Sequence, residues 1–199
     1  SNEIIGINTR KQQAEAEKIL RSRIIDRHLT NGVTIIDPDT TFIDSEVEIA
    51  QDVTIYPFNY LEGRTKIGAN TVINQNCKLK DAVIADNVNI LSNTVIKESK
   101  VGTNTNVGPF AYLRPGSVVE DDCKIGDFVE LKKTTVKSGA KVPHLCYAGD
   151  AEIGERTNIG AGTIFANYDG QKKSRTTIGK DAFIGSDSIL IAPLKIGDE

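Results

Sequence analysis

The sequence predicts a mainly β fold, a parallel β-helix built from hexapeptide repeats and preceded by one α-helix. Three observations predict it. An aliphatic residue returns every six positions through most of the 199 residues. Gly, Asn and Asp crowd the positions between those residues. The stretch before Gly32 has a different, charged texture with helical start and stop signals.

The helix comes first. Thr9-Arg10-Lys11-Gln12 fits a capping box, in which the Thr hydroxyl and the Gln side chain satisfy free backbone N–H groups. Ala16, Leu20 and Ile24 fall four apart with Ile19 beside them, which gives one apolar face. Asn31-Gly32 supplies residues that tolerate a positive φ at the helix end. The rest of the segment is charged, so it reads as a surface or linker helix. His28 sits near its C-terminus, where a cation complements the helix dipole.

The repeat follows. Its run begins Ile49, Ile55, Leu61, Ile67, Ile73, Leu79 and continues to Ile178, Ile184, Leu190, Ile196. A helix repeats at about 3.6 and a strand at 2, so neither explains a period of six. A parallel β-helix does: each hexad makes one short strand and a turn, and three hexads close a triangular coil. The aliphatic residues form inward columns, and Gly, Asn and Asp take the corners. Steps of five at Leu79–Ile84, Ile96–Val101, Leu131–Val136 and Ala148–Ile153 are single deletions absorbed at a corner. The gap of thirteen from Phe165 to Ile178 is one more than two hexads, and residues 167–173 read as a loop thrown out of the coil. A sandwich of short strands predicts irregular spacing and alternation, and neither is present.

Composition narrows the function classes. A net charge of −3 and a pI of about 5.5 give no reason to expect nucleic-acid binding. No apolar run approaches the roughly 18 residues that a membrane span needs. The polar start around Glu3 does not read as a signal peptide, which fits the cytoplasm. Cys77, Cys123 and Cys146 are odd in number and widely spaced, and read as small core thiols. There is no methionine, and the repeat is still running at Ile196-Gly197-Asp198-Glu199, so the chain reads as a piece of a longer protein.

Of the two histidines, His144 lies within the repeat beside Pro143, and a near-neutral imidazole suits a general base. Taken alone, a single His is more often structural. Arg114, Lys132, Lys133, Lys172 and Lys173 supply cations that an anionic substrate needs, although surface lysines are more often merely solvated. Arg114 and Lys132 are 18 apart, close to one coil, and His144 is 12 beyond Lys132, about two sides on. Stacking brings them to neighbouring edges, and a trimer interface is an equally good meeting place.

Several motifs occur in a fixed order: Leu113-Arg114-Pro115-Gly116, Phe128-Val129-Glu130-Leu131-Lys132-Lys133, Pro143-His144-Leu145-Cys146-Tyr147-Ala148-Gly149-Asp150, Asn158-Ile159-Gly160-Ala161-Gly162-Thr163 and Asn167-Tyr168-Asp169-Gly170. Together they resemble the C-terminal acetyltransferase domain of the bifunctional N-acetylglucosamine-1-phosphate uridyltransferase/glucosamine-1-phosphate acetyltransferase family. The segment through Asn31-Gly32-Val33 resembles that family's interdomain linker. The resemblance implies a left-handed coil, with residues 1–32 as the linker helix from the end of a nucleotidyltransferase domain and 33–199 as the acetyltransferase β-helix. It implies His144 as catalytic base, with Arg114, Lys132, Tyr147 and Asn158 on the sugar phosphate. Asn167 and Lys173 would join them from a neighbouring subunit. Ala161, Asn167, Tyr168 and Ser186 would line the acetyl-CoA site, which further coils and a C-terminal arm complete in the family. A homotrimer with active sites at subunit junctions is implied, with no metal in this part and magnesium confined to the nucleotidyltransferase domain. The product would feed UDP-N-acetylglucosamine and cell-wall precursor synthesis.

Two other readings share the fold. Another hexapeptide acyltransferase would act on serine or a different amino sugar, and the 167–173 loop argues against it. A non-catalytic trimerisation scaffold would bind no acetyl-CoA. A zinc enzyme needing three His ligands is set aside, because the chain has only His28 and His144.

Overall fold

A computed structural model describes residues 6–199. Glu3, in the polar start that argued against a signal peptide, and the beginning of the linker segment lie outside the described residues. Among the described residues there are one helix, α1, at Arg10–Thr30, and 27 short strands.

The capping box is present: the Gln12 N–H donates to Thr9 Oγ1 at 3.2 Å, and the Thr9 N–H donates to Gln12 Oε1 at 3.0 Å. The helix ends at Asn31, and the positive φ of +86° falls on Gly32. The expected apolar face is only partly used. Ile24, Ile25 and His28 are buried, whereas Leu20 is exposed and Ala16 half-buried. Burial in α1 is thus confined to its last turns. Arg21 lies over the Phe42 ring at 4.6 Å. His28 departs from the cationic helix-end role. It is buried beside the Arg27 guanidinium, and burial first, then that charge, pushes its pKa below the ordinary 6.5. It therefore packs as a neutral ring.

The strands form three sheets of nine, every named strand pair parallel. Sheet 1 opens with Thr34–Ile35, sheet 2 with Phe42–Ile43 and sheet 3 with Glu48–Ile49. The chain visits them in turn, one strand each per coil, as the hexad period predicts. Register aligns the inward columns: Ile55 on Ile73 and Ile73 on Ile90 in sheet 1, and Ile96 on Leu113 and Leu113 on Leu131 in sheet 2. The first coil starts at Ile35 and Ile43, earlier than the Ile49 where the period becomes legible. The step from Ile35 to Ile43 is eight rather than six, and the extra length turns at Asp37, whose side chain accepts from Thr40 Oγ1 at 2.8 Å.

A second inward column sits two residues before each aliphatic one and is rich in Thr. Thr71 Oγ1 accepts from the Val88 N–H at 3.2 Å and donates to the Ala85 carbonyl at 3.0 Å. Thr105 does the same with Cys123 and Glu120, and Thr157 with Ala182 and Gly179. These hydroxyls satisfy backbone groups that the corners leave without sheet partners. The cysteines occupy the same column. Cys77 donates to the Leu91 carbonyl and Cys123 to the Lys137 carbonyl, and burial pushes both thiols up to about 11 and Cys146 to about 12.

The four short steps all fall at the corner between sheets 2 and 3. Each is closed by one residue of positive φ: Asp81, Glu98, Lys133 and Asp150. Residues 167–175 leave the coil between the strands Ile164–Ala166 and Thr176–Ile178. That loop is folded on itself by a Tyr168–Lys173 bridge and by Asp169, which accepts from the Gln171 and Lys172 N–H groups. Those two backbone donors hold the Asp169 carboxyl below its usual range.

Candidate active site

The strand Lys141–His144 belongs to sheet 1 and carries Val142 into the core. Two residues on, at the corner between sheets 1 and 2, His144 points outward and is about half exposed. Its Nδ1 lies 2.6 Å from Oδ1 of Asp127, the residue paired with it on the coil before. That hydrogen bond, foremost, holds the Asp127 carboxyl below its usual range. Registers Lys141↔Asn158 and Asn158↔Phe183 carry the same corner position to Ala161 and then Ser186 on the next two coils. The Asp187 N–H donates to the Ala161 carbonyl at 2.8 Å. The sequence-expected base and two of the expected acetyl-CoA residues thus form one column along one edge.

Arg114, Lys132 and Tyr147, three of the expected phosphate ligands, stand on sheet 2, around the corner from His144. Tyr112, Glu130 and Tyr147 share one outward row, and Lys132 follows Leu131 on the strand Glu130–Lys132. Arg114 donates to Glu130 Oε1 at 2.8 Å and faces the Tyr112 ring at 5.9 Å. Its pKa is raised, chiefly by the Glu130 hydrogen bond. Lys173 reaches back from the loop to Lys132. The nearness of its amine, first of all, lowers the Lys132 pKa, and partial desolvation adds to this. Asp150 is the nearby acid, and it accepts from Asn167 Nδ2 at 2.6 Å. Tyr147 packs its hydroxyl over Gly149, where a Cβ would strike both that oxygen and Asn167.

One chain therefore brings together Arg114, Lys132, Tyr147, Asn167 and Lys173, including the two residues expected from a neighbour. It does not bring Asn158 to them. Asn158 points out from sheet 1, on a different face of the prism. Tyr168 is exposed, and its hydroxyl donates to the Gly170 carbonyl at 2.6 Å, within its own loop. Asp127 and Asp150 escaped sequence reasoning, which looked for a base and for cations. The signal was present: Asp127 is 17 residues before His144, one coil less the short step between them.

Two concavities of about 720 and 730 Å³ lie elsewhere, against α1 and the first coils, lined in part by Arg21 and Phe42 and by Arg27 and Glu48. Neither touches His144, which sits on an open edge. Among the described residues no group of three or more His, Cys, Asp or Glu is placed to hold a metal, and no helix is long and apolar enough to cross a membrane.

A family model described as the GMPPB C-terminal domain matches residues 36–118. Proteins named bifunctional protein GlmU are similar along almost the whole chain. That of Clostridium novyi is 52% identical over 197 residues, 99% of this chain and 43% of its own length. That of Staphylococcus haemolyticus is 53% identical over 197 residues, 99% and 44%. That of Acetivibrio thermocellus is 51% identical over 198 residues, 100% and 43%. The matched stretch is their C-terminal part, so this chain spans less than half the length of these relatives. Among solved structures, UDP-N-acetylglucosamine acyltransferase from Campylobacter jejuni superposes with a TM-score of 0.60 at 19% identity, over 78% of this chain and 66% of that one. LpxA from Acinetobacter baumannii gives 0.54 at 19%, over 79% and 66%. At that identity the likeness is one of fold: a left-handed parallel β-helix.

Proposed function

This chain is a homologue of the C-terminal part of the GlmU proteins, and on that premise we propose that it transfers an acetyl group from acetyl-CoA to the amine of glucosamine 1-phosphate. The observation that carries the reading is the cation cluster beside the His144 edge. Lys173 is held close enough to Lys132 to disfavour the charge on Lys132, with Arg114 on the coil before. Such a cluster is relieved by an anion between its members, and a sugar phosphate fits that need.

In this reading the phosphate rests on Arg114, Lys132 and Lys173, and Tyr147 packs beside the sugar. The 2-amine then points around the corner to His144. The amine nitrogen attacks the thioester carbonyl carbon. As the new C–N bond forms, its proton passes to the imidazole. The C–S bond breaks, and the thiolate leaves and takes up a proton as free coenzyme A. Acetyl-CoA, the co-substrate, lies along the Ala161–Ser186 edge, with Asn167 and Tyr168 of the loop at its side. The amide formed is N-acetylglucosamine 1-phosphate, the precursor for a UDP-sugar.

We read the working form as a homotrimer. The expected ligands divide between sheet 2 and sheet 1, where Asn158 stands, and flat faces of two copies meeting edge to edge would reunite them. The last coils favour burial as well: Phe183, Ile189 and Ile191 are 77%, 68% and 71% exposed in the single chain. Residues 1–32 then form the linker from a preceding nucleotidyltransferase domain, and 33–199 the acetyltransferase domain.

The test is thiol release from acetyl-CoA by the intact-length protein. Coenzyme A should appear only when glucosamine 1-phosphate is present, and not with serine or with glucosamine lacking its phosphate. Equal release with those acceptors would favour a different hexapeptide acyltransferase. No release with any acceptor would favour the scaffold.

A further inference from the structure

We propose that Asp127 is a positioning residue for His144: from the preceding coil its carboxylate fixes which imidazole nitrogen carries the proton and steadies the imidazolium as it forms. The inference rests on the reading of His144 as the base, and it adds a residue that the resemblance did not supply.

The fold makes a local exception to build this pair. Lys124–Asp127 and Lys141–His144 are the only four-residue strands among the described residues. Pairing in sheet 1 ordinarily ends at the inward aliphatic residue, as in Asn106↔Lys124 and Val107↔Ile125. Between these two strands it runs on to Asp127↔His144, so two outward side chains are set directly abreast. Gly126 permits the approach, because a Cβ there would run into the Pro143 carbonyl. The side chains then meet at 2.6 Å, Nδ1 to Oδ1.

The chemistry follows from which atom faces which. An ionised carboxylate only accepts, so the proton of the neutral ring resides on Nδ1. Nε2 keeps its lone pair and faces away from Asp127, free to take the proton of an amine. When it does, the ring becomes a cation with a carboxylate against it, and Asp127 keeps its charge throughout. The other ionisable groups nearby are few. Lys124 shares the strand of Asp127 and acts on it, and Lys141 opens the strand of His144. The strand on the far side, Asn158–Ile159, carries no ionisable side chain. Asp127 is therefore the one carboxylate presented to the ring by these strands.

Two variants separate geometry from charge. Asp127→Asn keeps an acceptor oxygen and loses the charge, whereas Asp127→Ala loses both. NMR titration of the His144 ring should show the Nδ1–H tautomer in the wild-type protein. In Asp127→Asn the preference for that tautomer should weaken, because the amide can donate to the ring as well as accept from it. Asp127→Ala should lose roughly 10- to 100-fold in kcat, with KM for the sugar phosphate nearly unchanged. An unchanged tautomer in both variants would overturn the proposal, as would an unchanged kcat in Asp127→Ala. A wild-type protein that releases no thiol overturns the acetyltransferase reading instead, and the NMR titration still decides whether Asp127 governs the ring.

Discussion

Alanine at position 144 removes the imidazole and leaves the inward Val142 of the same strand untouched. His144→Ala should therefore lower acetyl-transfer turnover by about 10²–10⁴, the usual worth of a positioned base. KM for glucosamine 1-phosphate should hardly move, because Arg114 and Lys132 sit on another sheet. Circular dichroism should report an intact fold, and near wild-type turnover would make His144 structural. At this scale the sequence was only half legible. His144 stood out as a histidine inside a repeat of aliphatic and turn residues, and the lysines stood out as cations where corners prefer Gly or Asn. Asp127 did not, since an Asp at a coil corner is indistinguishable from the many Asp residues that are there for the turn. His28 misled for a related reason: the sequence shows its place near a helix end and hides the coil packed over it.

Along an inward column, each coil feels the size of the residue above and below. In sheet 2 the order is Leu131, Ala148, Phe165, Leu190. Ala148 is the smallest member and Phe165 the largest, both fully buried, so the ring fills space that the alanine leaves. Phe165→Ala should cost about 3–5 kcal/mol through the cavity it opens. Ala148→Leu should cost about 1–3 kcal/mol by overpacking. The double variant should be more stable than the sum of the two predicts, and denaturant midpoints of the four proteins measure that coupling. The six-residue period disclosed these columns because every member is aliphatic or aromatic and its spacing is fixed by the coil. It also located the short steps, each now seen to turn at a single positive-φ residue. It missed Ile35 and Ile43, since an eight-residue turn through Pro38 breaks the period. The corner residues Phe110 and Phe128, stacked at 5.2 Å with positive φ, were illegible because phenylalanine is no turn former.

Light scattering should find three chains per particle, and a stable monomer at micromolar concentration would overturn the proposed trimer that reunites Asn158 with Arg114. The coil stack has one more consequence at this scale, which is metric. From the strand Thr34–Ile35 beside α1 to the strand of His144 there are six steps in sheet 1, or roughly 29 Å at the usual strand spacing. The β-helix is thus a ruler graduated in coils, and whatever α1 carries is held that far from His144. A graduation can be removed cleanly. Ile73 stacks on Ile90, so excising residues 74–90 joins equivalent points on successive turns and leaves every remaining column in register. The shortened protein should fold, keep the turnover of its parent, and measure about 4.8 Å less between probes on α1 and beside His144. Distance, in this molecule, is written in the sequence as a number of repeats.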